Sequence, residues 1–420
     1  MADSIQHPKS ATTIFLDQPP SCLEFCPEIP DHFVVGTYLL SETKNENGDI
    51  QQSKTGSLQL WKLDPDTDQL SLVQKLALPY AVFDLHFHPS DRSKFAIASS
   101  TGAVALFEAS DKSKSGTIPS QPSLSHIWTK QVHEDASIPA LFLAWAPKNW
   151  FPQPQADGFA VTFSDSRTTV FGTESNLIQE NAVTEWGSFE AKQMIEVWFV
   201  AMAAMESSTE PKQETIPFMF TGNDFGSLHT RRFESHSQAR RDDDEPLAPM
   251  LLDHDDRARH HTAGVTSILP LPVPMLDDAP IVLTGSYDEG LRVYHATRRG
   301  EVLAEQGLGG GVWRLQLLDA EAVNIENPEQ TAERRFLVLA SCMHAGTRVV
   351  RLIQKQQGGA SAWEIEVLAE FTEHESMNYA SDVWKGSYAT NQSAIQSASE
   401  LLCVSSSFYD RRVCVWRVTA

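Results

Sequence analysis

Seven short segments of this chain share one register, and that register constrains the fold more than any other feature. They begin at Thr55 "TGSLQLW", Thr101 "TGAVALF", Asp165 "DSRTTVF", Asp224 "DFGSLHT", Asp288 "DEGLRVY", His344 "HAGTRVV" and Asp410 "DRRVCVW". Each follows an apolar run rich in β-branched or aromatic residues, such as "IVLTGSY" before Asp288 and "LLCVSSSFY" before Asp410. Two such runs about a tight turn signal a β-hairpin. A further strand lies upstream of each hairpin ("CLEFCP", "LFLAWAP", "GVWRLQLL"), and a fourth, such as "LSLVQKLAL" or "WEIEVLAEF", leads to the next unit. The unit is therefore four antiparallel strands, repeated seven times.

The spacing of the anchors, about 46 to 66 residues, exceeds the roughly 40–45 of a minimal WD unit, so the extra length is expected in loops. The expected fold is all-β, a seven-bladed WD-repeat β-propeller. Trp61 and Trp416 end their strands where the WD tryptophan sits, and Phe107, Phe171 and Tyr294 replace it elsewhere. The fourth unit is the weakest, because "SLHTRRF" puts polar residues where its sisters are apolar. "ATTIFLD", Ala11 to Asp17, is an orphan strand expected to close the last blade and so remove an exposed edge. The expected organisation is a flexible N-terminus over residues 1–10 and one propeller over 11–420. A polar, acidic and mobile insertion is expected near 235–262.

Composition narrows the function classes. Lys plus Arg total 33 against 55 Asp plus Glu, a net charge of −22, so nucleic-acid phosphates are repelled and a basic or cationic partner is favoured. The start carries no signal pattern, and the longest apolar run, "VWFVAMAAM" from Val197, is too short to span a bilayer, so no membrane partner is expected. Five scattered cysteines fit reduced thiols in the cytosol. Cys22 and Cys26 lack a second ligand pair, and His254, His260, His261 and His374 have no metal-site spacing, so neither metal nor cofactor is expected. A monomer is expected.

Propeller topology gathers hairpin turns and strand entries on one rim, where "SYDEG", "CMHAG", "SFYDRR", "RHHTAGV", "GLGGGVWR" and "HESMNYASDVW" would meet. Asp288 and Asp410 are candidate carboxylates, although Asp also suits a turn because its side chain accepts bonds from backbone amides. Glu289 is a turn glutamate open to ligand or to solvent. His344 takes a position that four sister units give to Asp and two to Thr; an imidazole there suits general-base chemistry. Cys342 is either a nucleophile or small core filler. Gly309, Gly310 and Gly311 can aim consecutive amides at an oxyanion, with Arg314 beside them. Tyr287, Trp313, Tyr379, Trp384 and Tyr409, with Asp382 and His261, form a candidate substrate-binding set; aromatic faces beside carboxylates suit a quaternary ammonium. No "GxSxG" elbow or phosphate loop occurs, so motifs alone leave a non-catalytic scaffold open.

The stretches "LTGSYDEGLRVY", "RHHTAGVTSI", "GGGVWRLQLL", "ASCMHAGTRVV", "NYASDVW" and "SSSFYDRRVCVW" resemble, in order, the WD-repeat methylesterase family of diphthamide biosynthesis. "SFEA", "FTGNDFGSL" and "VGTYLL" extend the likeness, which is close over roughly residues 185–418 and looser before. A departure is "VYHATR", where relatives carry a more standard "LWDTR". The resemblance implies hydrolysis of the methyl ester of diphthine methyl ester on elongation factor 2. In that reaction His344 is the expected base, Asp288 or Asp410 its orienting partner, and the glycine amides with Arg314 the oxyanion site. Covalent attack by Cys342 is the rival route.

Overall fold

The computed structural model describes residues 5–44, 48–111, 121–175, 177, 179–206, 214–235, 246–323, 332–357, 360–386 and 400–420. The fold is all-β: seven blades of antiparallel strands make a seven-bladed β-propeller of WD-repeat type. The N-terminal strand β1 (Ser10–Phe15) is followed by a first sheet of β2 (Pro20–Phe25), β3 (His32–Thr37), β4 (Leu39–Lys44), β5 (Ile50–Asp64) and β6 (Gln69–Leu78). The second holds β7 (Val82–Phe87), β8 (Lys94–Ser99), β9 (Ala103–Ser110) and β10 (Ser123–Gln131). The third holds β11 (Ala140–Trp145), β12 (Asp157–Phe163), β13 (Arg167–Thr173) and β14 (Thr184–Glu190). The fourth holds β15 (Val197–Glu206), β16 (Thr215–Asn223), β17 (Leu228–Phe233) and β18 (Met250–Asp255). The fifth holds β19 (Val265–Pro270), β20 (Ile281–Ser286), β21 (Gly290–His295) and β22 (Glu301–Gly307). The sixth holds β23 (Arg314–Val323), β24 (Ala332–Ser341), β25 (Thr347–Gln357) and β26 (Ala360–Phe371). The last joins β27 (Asn378–Val383), β28 (Glu400–Ser407) and β29 (Arg412–Thr419) to β1.

The strand patterns explain why these residues take these places. Middle strands such as β3, β20 and β21 are buried at all six positions; β20 reads as a continuous apolar or small-residue run, while β3 also buries His32 and β21 buries Arg292 and His295. Outer strands face water on one side, and β1 accordingly alternates half-buried and exposed residues, starting half-buried at Ser10. β1 pairs with β29 from Ser10 opposite Trp416 to Phe15 opposite Arg412, as the orphan strand in the sequence leads one to expect. The first blade departs from the expected tight turn at Thr55. There β4 and the first half of β5 form a paired arm, Leu39 opposite Thr55 to Lys44 opposite Ile50, before β5 continues beside β3. Of the polar segment after Phe233, residues 236–245 lie outside the described residues, and its Met250–Asp255 stretch is the outer strand of the fourth sheet. The expected flexible segment 1–10 lies partly outside the described residues; within it, the Gln6 amide donates to the Leu368 carbonyl at 2.9 Å.

Two compact units are distinguished. One comprises Met1–His7, Ala144–Leu177 and Asn181–Thr372; the other comprises Pro8–Leu143, Ile178–Glu180 and Glu373–Ala420. In the first, Leu283, Leu291 and Val293 of the fifth sheet pack on Val338, Val350 and Leu352 of the sixth. In the second, Phe25, Phe33 and Val35 of the first sheet pack on Val404, Val413 and Val415 of the last. Fully burying each such side chain stabilises the fold by about 1.5–3 kcal/mol.

Candidate functional site

In the first unit the loops of the fourth, fifth and sixth sheets place a continuous strip of chemically distinct residues. It begins at a cavity of about 460 Å³ lined by Lys192, Asn223, Phe225, His229, Asp255 and Arg257, among others. The polar sequence of the fourth repeat builds its floor. His229 is buried, with Nδ1 3.7 Å from Asp253 and Nε2 3.5 Å from Asp255. Arg231, 2% exposed, lies 3.5 Å from Asp253. Charges withdrawn from water on this scale need partners, and β18 supplies them as "DHD". His229, with Arg231 close by, holds the Asp253 carboxyl below its usual range. The outer strand is thus polar because the strand beside it is.

Asp224 carries the strip onward. It lies between the cavity residues Asn223 and Phe225, and its carboxylate accepts a 2.7 Å hydrogen bond from the Trp198 indole. Trp198 meets Tyr287 at a centroid distance of 6.3 Å and Trp313 at 5.7 Å, and Tyr287 meets Trp313 at 5.8 Å. Two glycines allow this approach. A methyl group on Gly264 would fall 2.8 Å from the Tyr287 ring and 3.1 Å from the Asp224 backbone, and one on Gly311 would fall 2.7 Å from the Met343 sulfur. Arg314 spreads its guanidinium over Trp313 at 4.8 Å and over Phe199 at 5.6 Å, while donating to the carbonyl of Trp313.

The strip ends at the glycine run and the turn that carries His344. A methyl group on Gly310 would fall 2.3 Å from the Cys342 carbonyl oxygen, so the run lies directly on the 342–346 turn. The flanking amides of Leu308, Val312 and Trp313 donate to the carbonyls of Glu289, Ser286 and Ser341; among the described residues the amides of Gly309, Gly310 and Gly311 donate to none. His344 is exposed, on a turn held by the Cys342 amide donating to Gly346 and the Ala345 amide to Cys342. Tyr287, Gly309–Gly311, Trp313, Arg314 and His344, grouped from sequence, are therefore neighbours along one strip. Glu289 is exposed at the adjacent turn with φ +68°.

Other candidates have structural partners. Asp288 accepts from the amides of Gly290 at 3.0 Å and Thr262 at 2.8 Å, and pairs with Arg292 at 2.9 Å. Burial works against its charge, but these bonds outweigh that and hold its carboxyl down to about 2. His261, beside Thr262, is buried and shares a 2.9 Å hydrogen bond with Thr284; burial and the Arg292 charge lower its imidazole to about 3. In the other unit the same arrangement recurs. Asp410 accepts from the Glu375 amide at 3.1 Å, His374 shares a 2.8 Å bond with Ser405, and the Trp416 indole donates to Ser405 at 3.0 Å. These sets tie hairpin turns to the preceding loops. Cys342 has no solvent exposure, its thiol lies 3.6 Å from the Ala340 carbonyl, and burial pushes it up to about 12.

Also in that unit, Asp382 is buried and its carboxylate accepts from the Phe25 and Val383 amides, both at 2.7 Å, joining β27 to β2. The Trp384 indole donates to Asp31 at 2.9 Å. Tyr379 and Tyr409 flank Phe408 at 5.5 and 5.0 Å, with Tyr409 exposed. Sequence reasoning missed Trp198, the Asp224 partnership and the His229 cavity. One signal was available: "VW" stands at 197–198 and 312–313, at corresponding entries to the innermost strands β15 and β23. Among the described residues, no group of three or more His, Cys, Asp or Glu is placed to hold a metal ion. No described helix is long and apolar enough to cross a membrane.

No family model matches the chain. The fold is similar to that of Sqt1 from Chaetomium thermophilum, with a TM-score of 0.52 and 13% identity over 95% of this chain and 82% of that one. A human protein named diphthine methyltransferase is 30% identical over 125 residues, which are 30% of this chain and 23% of that protein. The diphthine methyltransferase of Schizosaccharomyces pombe is 24% identical over 409 residues, 97% of each chain. From one end to the other, then, this chain is similar to a protein of that name, the group that its ordered motifs resemble.

Proposed function

We propose that the chain acts in diphthamide biosynthesis by hydrolysing the methyl ester of diphthine methyl ester on elongation factor 2, in the cytoplasm, to give diphthine. The observation that carries this reading is the end-to-end similarity to the fission-yeast protein. The strip in the first unit supports it chemically, because the substrate presents a trimethylammonium group beside an ester.

In the proposed reaction His344 accepts a proton from water as the water oxygen attacks the ester carbonyl. Negative charge develops on the carbonyl oxygen, where the Gly309–Gly311 amides and Arg314 are available as donors. The intermediate expels methoxide, which takes the proton from His344 and leaves as methanol. Asp288 and Asp410 act in this scheme as turn residues rather than as reacting groups, given the bonds that occupy them. Cys342 is not needed.

A second reading comes from the name of the relatives, which denotes methyl transfer. A third is a propeller that binds the factor without chemistry. One experiment separates them: purified chain is incubated with methylated elongation factor 2 in ¹⁸O-water. Methanol release with ¹⁸O in the product carboxylate supports hydrolysis. Methyl gain by unmethylated factor from an added methyl donor supports transfer, and binding with neither outcome supports the scaffold.

A further inference from the structure

We infer that Trp198, Tyr287 and Trp313, with the Asp224 carboxylate beside them, form a binding site for a quaternary ammonium group that carries an oxygen acceptor next to it. The inference rests on the proposed hydrolysis only for the protein that would bear such a group.

Three ring centroids stand 6.3, 5.7 and 5.8 Å apart, with planes tilted to each other by 86°, 60° and 45°. No two rings stack, so their faces do not cancel one another. A cation centred over that triangle at a height of about 4.5 Å lies about 5.7 Å from every centroid, within the roughly 6 Å over which a ring face attracts a cation. All three rings are half-buried rather than sealed in the core. The cluster already holds a cation on one flank: the Arg314 guanidinium, 4.8 Å from the Trp313 centroid.

Two features select the ligand. The Asp224 carboxylate supplies negative charge, but one oxygen is committed to the Trp198 indole. A primary ammonium would give up bonds to water for carbon faces, whereas a trimethylammonium has no N–H to satisfy. Arg314 would repel a plain cation, yet it attracts one whose neighbouring carbon bears a carbonyl or carboxylate oxygen. A betaine-like group meets both conditions. The side chain of diphthine methyl ester is of that kind.

Calorimetric titration of the full chain with glycine betaine methyl ester, choline and the neutral isostere 3,3-dimethylbutan-1-ol tests the site. The charged esters and alcohols should bind in the order betaine ester, then choline, with the neutral isostere at least about tenfold weaker. Trp198→Ala and Trp313→Ala should each weaken the betaine ester about tenfold or more, and Trp198→Phe should retain it within a few-fold. Should either alanine variant fail to fold by circular dichroism, Asp224→Asn decides; it keeps an acceptor for Trp198 and removes only the charge, so affinity should fall several-fold. Equal binding of the neutral isostere, indifference to Trp198→Ala with a folded protein, or no binding at all overturns the inference. Methanol release from the methylated factor is read on the same proteins. Binding without release leaves this site standing and removes the hydrolysis; release with unchanged KM in Trp198→Ala removes this site alone.

Discussion

Cys342 and His344 sit two residues apart, yet their environments lead to opposite expectations. A thiol held near 12 by burial is almost entirely protonated at neutral pH, and with no exposure it cannot meet a substrate. Cys342→Ala should therefore leave methanol release within about twofold of the parent, at a stability cost of about 1 kcal/mol for the small void. A loss of a hundredfold in a folded variant would restore covalent catalysis. His344 is exposed, and its neighbours' backbones hold the turn. His344→Ala should leave the melting temperature unchanged and lower kcat by about 10²–10⁴-fold, the usual worth of a general base. Unchanged turnover would remove His344 from the mechanism and leave the His229 cavity as the next place to look.

Strands and turns show how far the sequence could be read. The register was legible because six of the seven hairpins repeat a tight turn between buried strands, and a period-2 or fully apolar run survives single substitutions. The turn aspartates were legible only as alternatives, since one partner of each, the Thr262 amide for Asp288 and the Glu375 amide for Asp410, lies 26 and 35 residues away in the chain. The arm of β4 and β5 was hidden because "LLSETK" pairs outside the buried part of its blade. Trp198 and His229 were hidden for another reason: their value depends on Tyr287, Trp313 and Asp255, which only the fold brings near. The His374–Ser405–Trp416 set yields a prediction at this scale. Burial lowers the His374 imidazole to about 4 against an ordinary 6.5, so below pH 6.5 the unfolded chain binds a proton that the folded chain refuses. Stability must then fall as pH drops from about 6.5 towards 4, by up to about 1.4 kcal/mol per pH unit for this residue. His374→Gln should flatten that part of the curve in denaturant titrations, although it lowers stability at pH 7. An unaltered slope would mean that His374 is not the group responsible.

For the whole molecule, the decisive contact is between the two ends of the chain. β1 adds the outer strand to a sheet otherwise made by β27, β28 and β29, and five backbone pairings join it to β29. The Leu16 amide extends the junction by donating to Arg411 at 2.8 Å, and the Leu16 side chain is buried in the same cluster as Phe25 and Val415. Removing residues 1–16 would leave β29 as a bare edge whose inner positions, Val413 to Trp416, are apolar and fully buried in the intact protein. An unpaired edge of that kind recruits strands from other molecules. The truncated chain should therefore melt lower and sediment as concentration-dependent oligomers. A synthetic peptide spanning residues 8–17 should reverse that association by β-strand addition, in the register that sets Thr13 opposite Cys414. A peptide with Ile14 replaced by Pro, which cannot donate at the centre of the ladder, should not. Full stability without β1 would show that the last sheet holds with three strands, and that the orphan strand in the sequence serves something other than closure.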